Sequence, residues 1–236
     1  MTVARLSQSS FYSLRGKSGI GLRLVCAILE RSPCAVIFAG ARDPTSAYGL
    51  NDFSRSNDNI KVLQIIVDDE QSNLRAMEEV KRFTNHLHIV IANAGESIIA
   101  SLPVFYIHGS SPGISIPAAS LHPIDNAVYR DLVNVNTFGP LFLYKAAYSL
   151  LIEPRVTDSS LSPPKFFITS TGLASMGDFC KDYVVAPYGM SKAAANYLAV
   201  VMHHETRHVN AVIVAYHPGE CVWTDLSDSV AEMTLL

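Results

Sequence analysis

Tyr188 and Lys192 stand four residues apart in the stretch Pro187-Tyr188-Gly189-Met190-Ser191-Lys192-Ala193-Ala194-Ala195-Asn196-Tyr197. After the proline this is a helix-forming run, so the two side chains share one helical face. A free phenol titrates near ~10 and exchanges protons poorly at neutral pH. An ammonium one turn away favours the phenolate and lowers that value. A shift of ~3 units needs about 4 kcal/mol of differential interaction, at ~1.4 per unit. General acid–base catalysis works best with a group that titrates near the working pH. A helical Tyr and Lys at this spacing are also an ordinary surface pair, so the surrounding residues must decide between the two readings.

Three more segments bear on that decision. Phe166-Phe167-Ile168-Thr169-Ser170-Thr171-Gly172 is an apolar strand ending in hydroxyl residues. Leu87-His88-Ile89-Val90-Ile91-Ala92-Asn93-Ala94-Gly95 is a strand running into small residues. Between them, Asn134-Val135-Asn136-Thr137-Phe138-Gly139 lies in an apolar helical run, and downstream a strand from Ala211 to Tyr216 leads into His217-Pro218-Gly219. In this order and at these spacings the motifs resemble the short-chain dehydrogenase/reductase family over roughly residues 16 to 226. The words around Tyr188 and Lys192, with Thr224-Asp225-Leu226 after Pro218-Gly219, resemble those of the fungal norsolorinic acid ketoreductases.

The resemblance implies a Rossmann-type doubly wound parallel sheet of about six strands in the order 3-2-1-4-5-6. It implies that Tyr188 donates a proton to a developing alkoxide, and that Lys192 lowers the tyrosine pKa and holds the nicotinamide ribose. Ser170 would hydrogen-bond the substrate carbonyl, with Thr169 and Thr171 as neighbours easily mistaken for it. Asn136 would support a proton relay; Asn134 is the decoy, and Gly139, three residues after Asn136, sets the register. The reaction implied is reduction of a small-molecule ketone with NADPH, on an aromatic or polyketide carbonyl compound.

The cofactor side reads less regularly. Glycines between a first strand and a helix let backbone N–H groups approach a pyrophosphate. Here they are Gly16, Gly19 and Gly21, with Ile20 between the last two; Leu14 and Arg15 stand where the family has threonine and its first glycine. A side chain at that position crowds the pyrophosphate, so weak cofactor binding is one expectation. Arg42, at the end of the second strand, favours the 2′-phosphate of NADP; Asp43, one residue later, keeps NAD as the alternative. Asp68 is the candidate near the adenine, with a helix-capping role as its plain reading. Asn93, Ala94 and Gly95 would let the cofactor pass close to the backbone. Pro218 and Gly219 would turn the chain under the nicotinamide, with Val222 and Thr224 completing that contact. His204-Glu205-Thr206-Arg207-His208 matches a zinc-peptidase signature. It falls at a helix end, where histidines suit the dipole, so no metal is expected.

Strands alternate with amphipathic helices through a single domain, residues 1–236. Strands are expected at Phe11–Leu14, Ala35–Ala39, Val62–Val67, Leu87–Ala92, Phe166–Thr169 and Ala211–Tyr216. Helical segments are expected from Ile20 to Leu29, Asn73 to Phe83, Ile124 to Leu151 with a break at Gly139-Pro140, and Tyr188 to Glu205. Ser97–Pro123 and Glu153–Pro164 read as loops. The chain ends ten residues after Leu226, before the lid and further strand usual in the family, so a shortened C-terminus is part of the expectation.

A net charge of −3 gives no case for a nucleic-acid partner. No apolar run is long enough to span a membrane. Four scattered cysteines fit a reducing, cytoplasmic setting. The N-terminus, with no acidic residue before Glu30, has the composition of a mitochondrial leader as a minor alternative. Ala193, Ala194, Tyr197 and Val201 give the Tyr188 helix a small, apolar face suited to a homodimer. The alternative from another class is a cofactor-weak, non-redox homologue that acts as a binding protein.

Overall fold

The computed structural model describes residues 2–4, 11–14, 20–95, 121, 124–179 and 185–219, the first two segments as backbone only. Seven strands form one sheet among these residues. They are β1 (Thr2–Ala4), β2 (Phe11–Leu14), β3 (Ile37–Ala41), β4 (Ile60–Gln64), β5 (Ile89–Ala92), β6 (Lys165–Thr169) and β7 (Val212–Tyr216). β2 runs parallel to β3, β3 to β4, β5 to β6 and β6 to β7. The strand at Thr2–Ala4 was not anticipated. Its three residues are too few to show a pattern, and its backbone pairs antiparallel with both β3 and β5. Both N-terminal segments pair with the same residues of β3, from Ile37 to Ala39.

Alternate residues of the central strands go to opposite faces, as the pleat requires. Ile37, Ala39, Ile89 and Ile91 join one cluster with Val25 of α1 (Ile20–Arg31) and Leu50 of α2 (Tyr48–Ser56). Phe38, Val90, Phe166 and Ile168 join a larger one. That second cluster includes Val80 of α3 (Glu70–Lys81), with two residues from helices further along the chain, Leu143 and Ala195. Burial on both faces explains why the central strands β3 and β5 read as unbroken apolar runs. Strand two ends two residues later than expected, at Ala41, and strand three lies two to three residues earlier. α2 was not anticipated, because its nine residues are mostly polar.

The helical region from residue 126 to 151 does not break at Gly139-Pro140. α4 (Asn126–Val133) passes through a π turn, Asn134–Phe138, into α5 (Gly139–Leu151). Pro140 has no N–H, so the regular bond to the carbonyl four residues back, that of Asn136, cannot form. The chain widens instead, and the Gly139 N–H reaches the carbonyl of Asn134, five residues back. Such turns occur often at functional sites, and Asn136 sits at the middle of this one.

The expected loop at 153–164 begins with a short helix, α6 (Glu153–Thr157). Arg155 is buried there and bonds the carbonyls of Leu150, Leu151 and Ser162, capping the end of α5. Burial lowers its pKa to about 10.

The Tyr188 helix, α7 (Ala186–Glu205), packs its first turns against the segment after β6. Gly189 makes this possible, because a Cβ there would lie 2.9 Å from the Leu173 carbonyl oxygen. Gly189→Ala is expected to destabilise the protein by about 1–3 kcal/mol through this overlap. Denaturant unfolding checks it, and unchanged stability would contradict this packing.

Candidate active site

Asn93 to Gly95 follow β5, Ser170 follows β6, and His217 to Gly219 follow β7. All stand at the carboxyl ends of parallel strands, where open α/β sheets bind ligands. Lys192 is 3% exposed, and its Nζ donates to the Thr169 carbonyl at 2.8 Å. Burial alone lowers its pKa to about 8, with no charge among the described residues to offset it. Nζ lies 5.9 Å from the centre of the Tyr188 ring. Tyr188 itself belongs to a small apolar cluster built on the buried Leu132 and Val185, which Ile124, Val128 and Leu173 also join.

Asn136 is fully buried, and its Nδ2 donates to Ser191 Oγ at 3.0 Å. A Cβ placed on Gly95 would lie 3.0 Å from both Asn136 Oδ1 and Lys192 Nζ. Asn136 and Lys192 therefore meet against the backbone of Gly95. The Ser170 N–H donates to the Tyr216 carbonyl at 2.7 Å, and its Oγ donates to Asn196 Oδ1 at 2.6 Å. The neighbouring Thr169 hydroxyl lies 3.2 Å from Asn93 Oδ1 and 2.9 Å from the Tyr216 hydroxyl. Asn93 thus links adjacent strand ends. Burial raises the Tyr216 pKa.

Residues of this network were missed in the sequence, Asn196 and Tyr216 as well as the two described next. Ser191, fully buried, donates to the Tyr188 carbonyl at 2.7 Å while accepting from Asn136. Thr137 donates to the Ser191 carbonyl at 2.8 Å. Their partners across the fold are some 54–55 residues apart, so no local spacing reveals them. The one available signal is that Ser191 and Lys192 follow the tyrosine on the same helix.

On the cofactor side, Ile20 and Gly21 open α1, and Gly21 is buried. Gly16, Gly19, Val222 and Thr224 lie outside the described residues, and so does the loop expected at 97–123 apart from residue 121. Arg42 is exposed just past β3. Asp43 instead caps the short turn Pro44–Ser46, its Oδ1 accepting from the Thr45 N–H at 3.0 Å and hydroxyl at 2.6 Å. Asp68 is exposed, and it is Asp69 that caps α3, accepting from Ser72 N–H at 3.1 Å. Gly219 has φ +103°, a conformation that favours glycine. The zinc-like motif does not lie on one helix, since α7 ends at Glu205 and residues 207–209 form a separate turn. Glu205 accepts from the Tyr144 hydroxyl, and the His204 ring contacts the Arg207 guanidinium.

Residues 15–234 match the short chain dehydrogenase family. The chain belongs to that family. An uncharacterized oxidoreductase of Schizosaccharomyces pombe is 28% identical, the match covering 93% of this chain and 76% of that one. The norsolorinic acid ketoreductase of Aspergillus parasiticus is 24% identical over 96% of this chain and 76% of its own. The fold is similar to that of an NADPH-bound carbonyl reductase from chicken fatty liver, with a TM-score of 0.73 at 24% identity, covering 94% of this chain and 88% of the other. This short-chain dehydrogenase is accordingly an NAD(P)-dependent oxidoreductase acting on a small molecule. A nucleotide cofactor is compatible with these strand ends: small residues follow β5, Gly219 follows β7, and the Arg42 side chain is exposed past β3. No helix among the described residues is long and apolar enough to cross a membrane.

Lys192 gives this site a signature in stability. The unfolded ammonium titrates near ~10.4, the folded one at about 8. Between these values the unfolded chain binds more protons, so stability rises with pH across that window, by up to roughly 3 kcal/mol. Below about pH 8 both states are protonated and the burial penalty is fully present. Unfolding titrations from neutral to alkaline pH should show this rise in the parent and lose it in Lys192→Met. Equal slopes in the two proteins would contradict the assignment.

Proposed function

We propose that this chain reduces a ketone with NADPH, and that Asn136, Ser170, Tyr188 and Lys192 carry the reaction. The observation behind this reading is the buried Lys192 ammonium, held by the Thr169 carbonyl one helical turn from Tyr188. A cation that has lost its water, with no carboxylate to offset the loss among the described residues, costs stability that a neutral side chain would not. Beside a phenol, it favours the phenolate and so helps the hydroxyl release its proton.

The cofactor, when bound, supplies the hydride. Tyr188 gives its proton to the oxygen of the carbonyl as negative charge develops there. Ser170 binds that oxygen and orients it. Asn136, fixed through Ser191, lies with Lys192 against Gly95 and supports return of a proton to the tyrosine. Ile20, Gly21, Asn93, Ala94, Gly95, Pro218 and Gly219 would line the cofactor with Gly16, Gly19, Asp68, Val222 and Thr224.

Arg42 supports NADP over NAD, because Asp43 is engaged as a turn cap while the exposed guanidinium side chain stands at the strand end, where a 2′-phosphate would lie. The chicken carbonyl reductase, which has NADPH bound, agrees with this choice. The apolar group around Tyr188, with Met176 and Phe179 exposed after β6, suits an aromatic or polyketide ketone. The similarity to a norsolorinic acid ketoreductase points the same way.

The exposed Tyr197 and Val201 beside Ala193 and Ala194 on α7 favour a homodimer. Light scattering at micromolar concentration should give a dimer mass, and a monomer would contradict it.

A panel of aryl and polyketide ketones, with loss of NADPH absorbance followed, tests the activity. Tyr188→Phe should lower turnover by far more than about tenfold, ~1.4 kcal/mol of barrier, while leaving NADPH affinity intact. Turnover within that factor of the parent would refute the tyrosine's role. By calorimetry NADPH should bind more tightly than NADH, and Arg42→Asp should reverse the order. Equal affinities in the parent would refute the cofactor choice.

A further inference from the structure

The hydroxyl of Ser170 has one proton, and the structure directs it to Asn196 rather than into the site. The O···O separation of 2.6 Å fits O–H···O geometry, shorter than usual for N–H···O. Ser170 is held by its backbone bond to Tyr216, so the side-chain rotamer and the proton are its remaining freedoms. Both Ser170 and Asn196 line a cavity of about 560 Å³ with Thr171, His203 and His217. Asn196 lies one turn beyond Lys192 on α7.

We propose that Asn196 is a positioning residue that sets the hydrogen-bond polarity of Ser170. This role rests on the reading of Ser170 as the group that binds the substrate oxygen. A ketone oxygen only accepts, so Ser170 must donate to it. An alcohol oxygen can donate, and Ser170 then accepts from it. With Asn196 Oδ1 toward Ser170, the serine proton is committed to the amide and its lone pairs receive an alcohol. Rotating the amide by half a turn presents Nδ2 to Ser170 Oγ and releases the serine proton to a ketone. The terminal torsion of asparagine is broad and close to two-fold, so both positions are accessible. No covalent bond changes; only the direction of two hydrogen bonds reverses.

Asn196→Asp separates this role from simple packing, because a carboxylate keeps the shape and only accepts. At neutral pH it would hold the Ser170 proton permanently and lower kcat/KM for ketone reduction by about tenfold, the effect of one transition-state hydrogen bond. As pH falls the protonated acid regains one donor and one acceptor, and activity should recover relative to the parent. The parent profile, run in parallel, accounts for His203 and His217 on the cavity and for Lys192, Tyr188 and Tyr216 elsewhere on α7 and β7. In a Ser170→Ala background, Asn196→Asp should change kcat/KM for the fastest-reduced aryl ketone by less than about twofold. A thermal-unfolding cycle on the same four proteins without ligand should show coupling between the two positions.

Additive effects in the cycle, or no recovery at low pH, would overturn the inference and leave the Ser170 reading intact. Full activity in Ser170→Ala, or a parent that reduces no ketone in the panel, would overturn the reading on which it rests. Should the Asn196→Asp protein not fold, Asn196→Leu must show the same coupling to Ser170, and its absence would also overturn the inference.

Discussion

A lysine ammonium buried with no carboxylate against it among the described residues is the constraint around which this site is organised. Removing such a charge from water is costly, and a single carbonyl bond repays only part of it. The bond that Lys192 makes is to Thr169, the last residue of β6, so it ties α7 to the sheet where Tyr188 stands. Close approach of helix and strand ends follows from that bond. It explains why glycines occupy positions 95 and 189, where a Cβ would meet Lys192 or the Leu173 carbonyl. Function and stability pull in opposite directions at this lysine, as they commonly do at active sites.

Around it runs a set of buried polar groups that satisfy one another. Ser191 takes a donor from Asn136 and gives its proton to the Tyr188 carbonyl. Thr137 bonds the Ser191 carbonyl, and Thr169 bridges Asn93 and Tyr216. In a low-dielectric interior such bonds are stronger than in water, and an unmet partner is expensive. The network therefore holds each side chain in one place. The π turn contributes by setting Asn136 toward α7, a direct result of Pro140 lacking the N–H that a regular helix would need.

Much of this was legible beforehand. The β3, β5 and β6 runs announced a sheet covered on both faces, because strands buried on both sides must be largely apolar throughout. The helix that carries Tyr188 and Lys192 was legible in the helix-forming run after Pro187. Long-range partners were not legible: Ser191 with Asn136 and Asn196 with Ser170 meet only after folding brings separate elements together. Gly139-Pro140 read as a helix break because the rule for proline says which bond is lost and not how the chain compensates. Glu153–Thr157 read as a loop for its prolines, although a proline is welcome in a helix's first turn. Thr2–Ala4 is too short for any periodic signal.

Direct titration of the Lys192 ammonium shows whether burial governs this site. Selective isotope labelling and NMR of its Nζ or Cε in the ligand-free protein would follow the charge with pH. Loss of the proton at about pH 8 is expected from burial without a compensating anion. Titration near ~10.4, the ordinary value for lysine, would mean that the amine is solvated or paired, and would contradict the role given to it here.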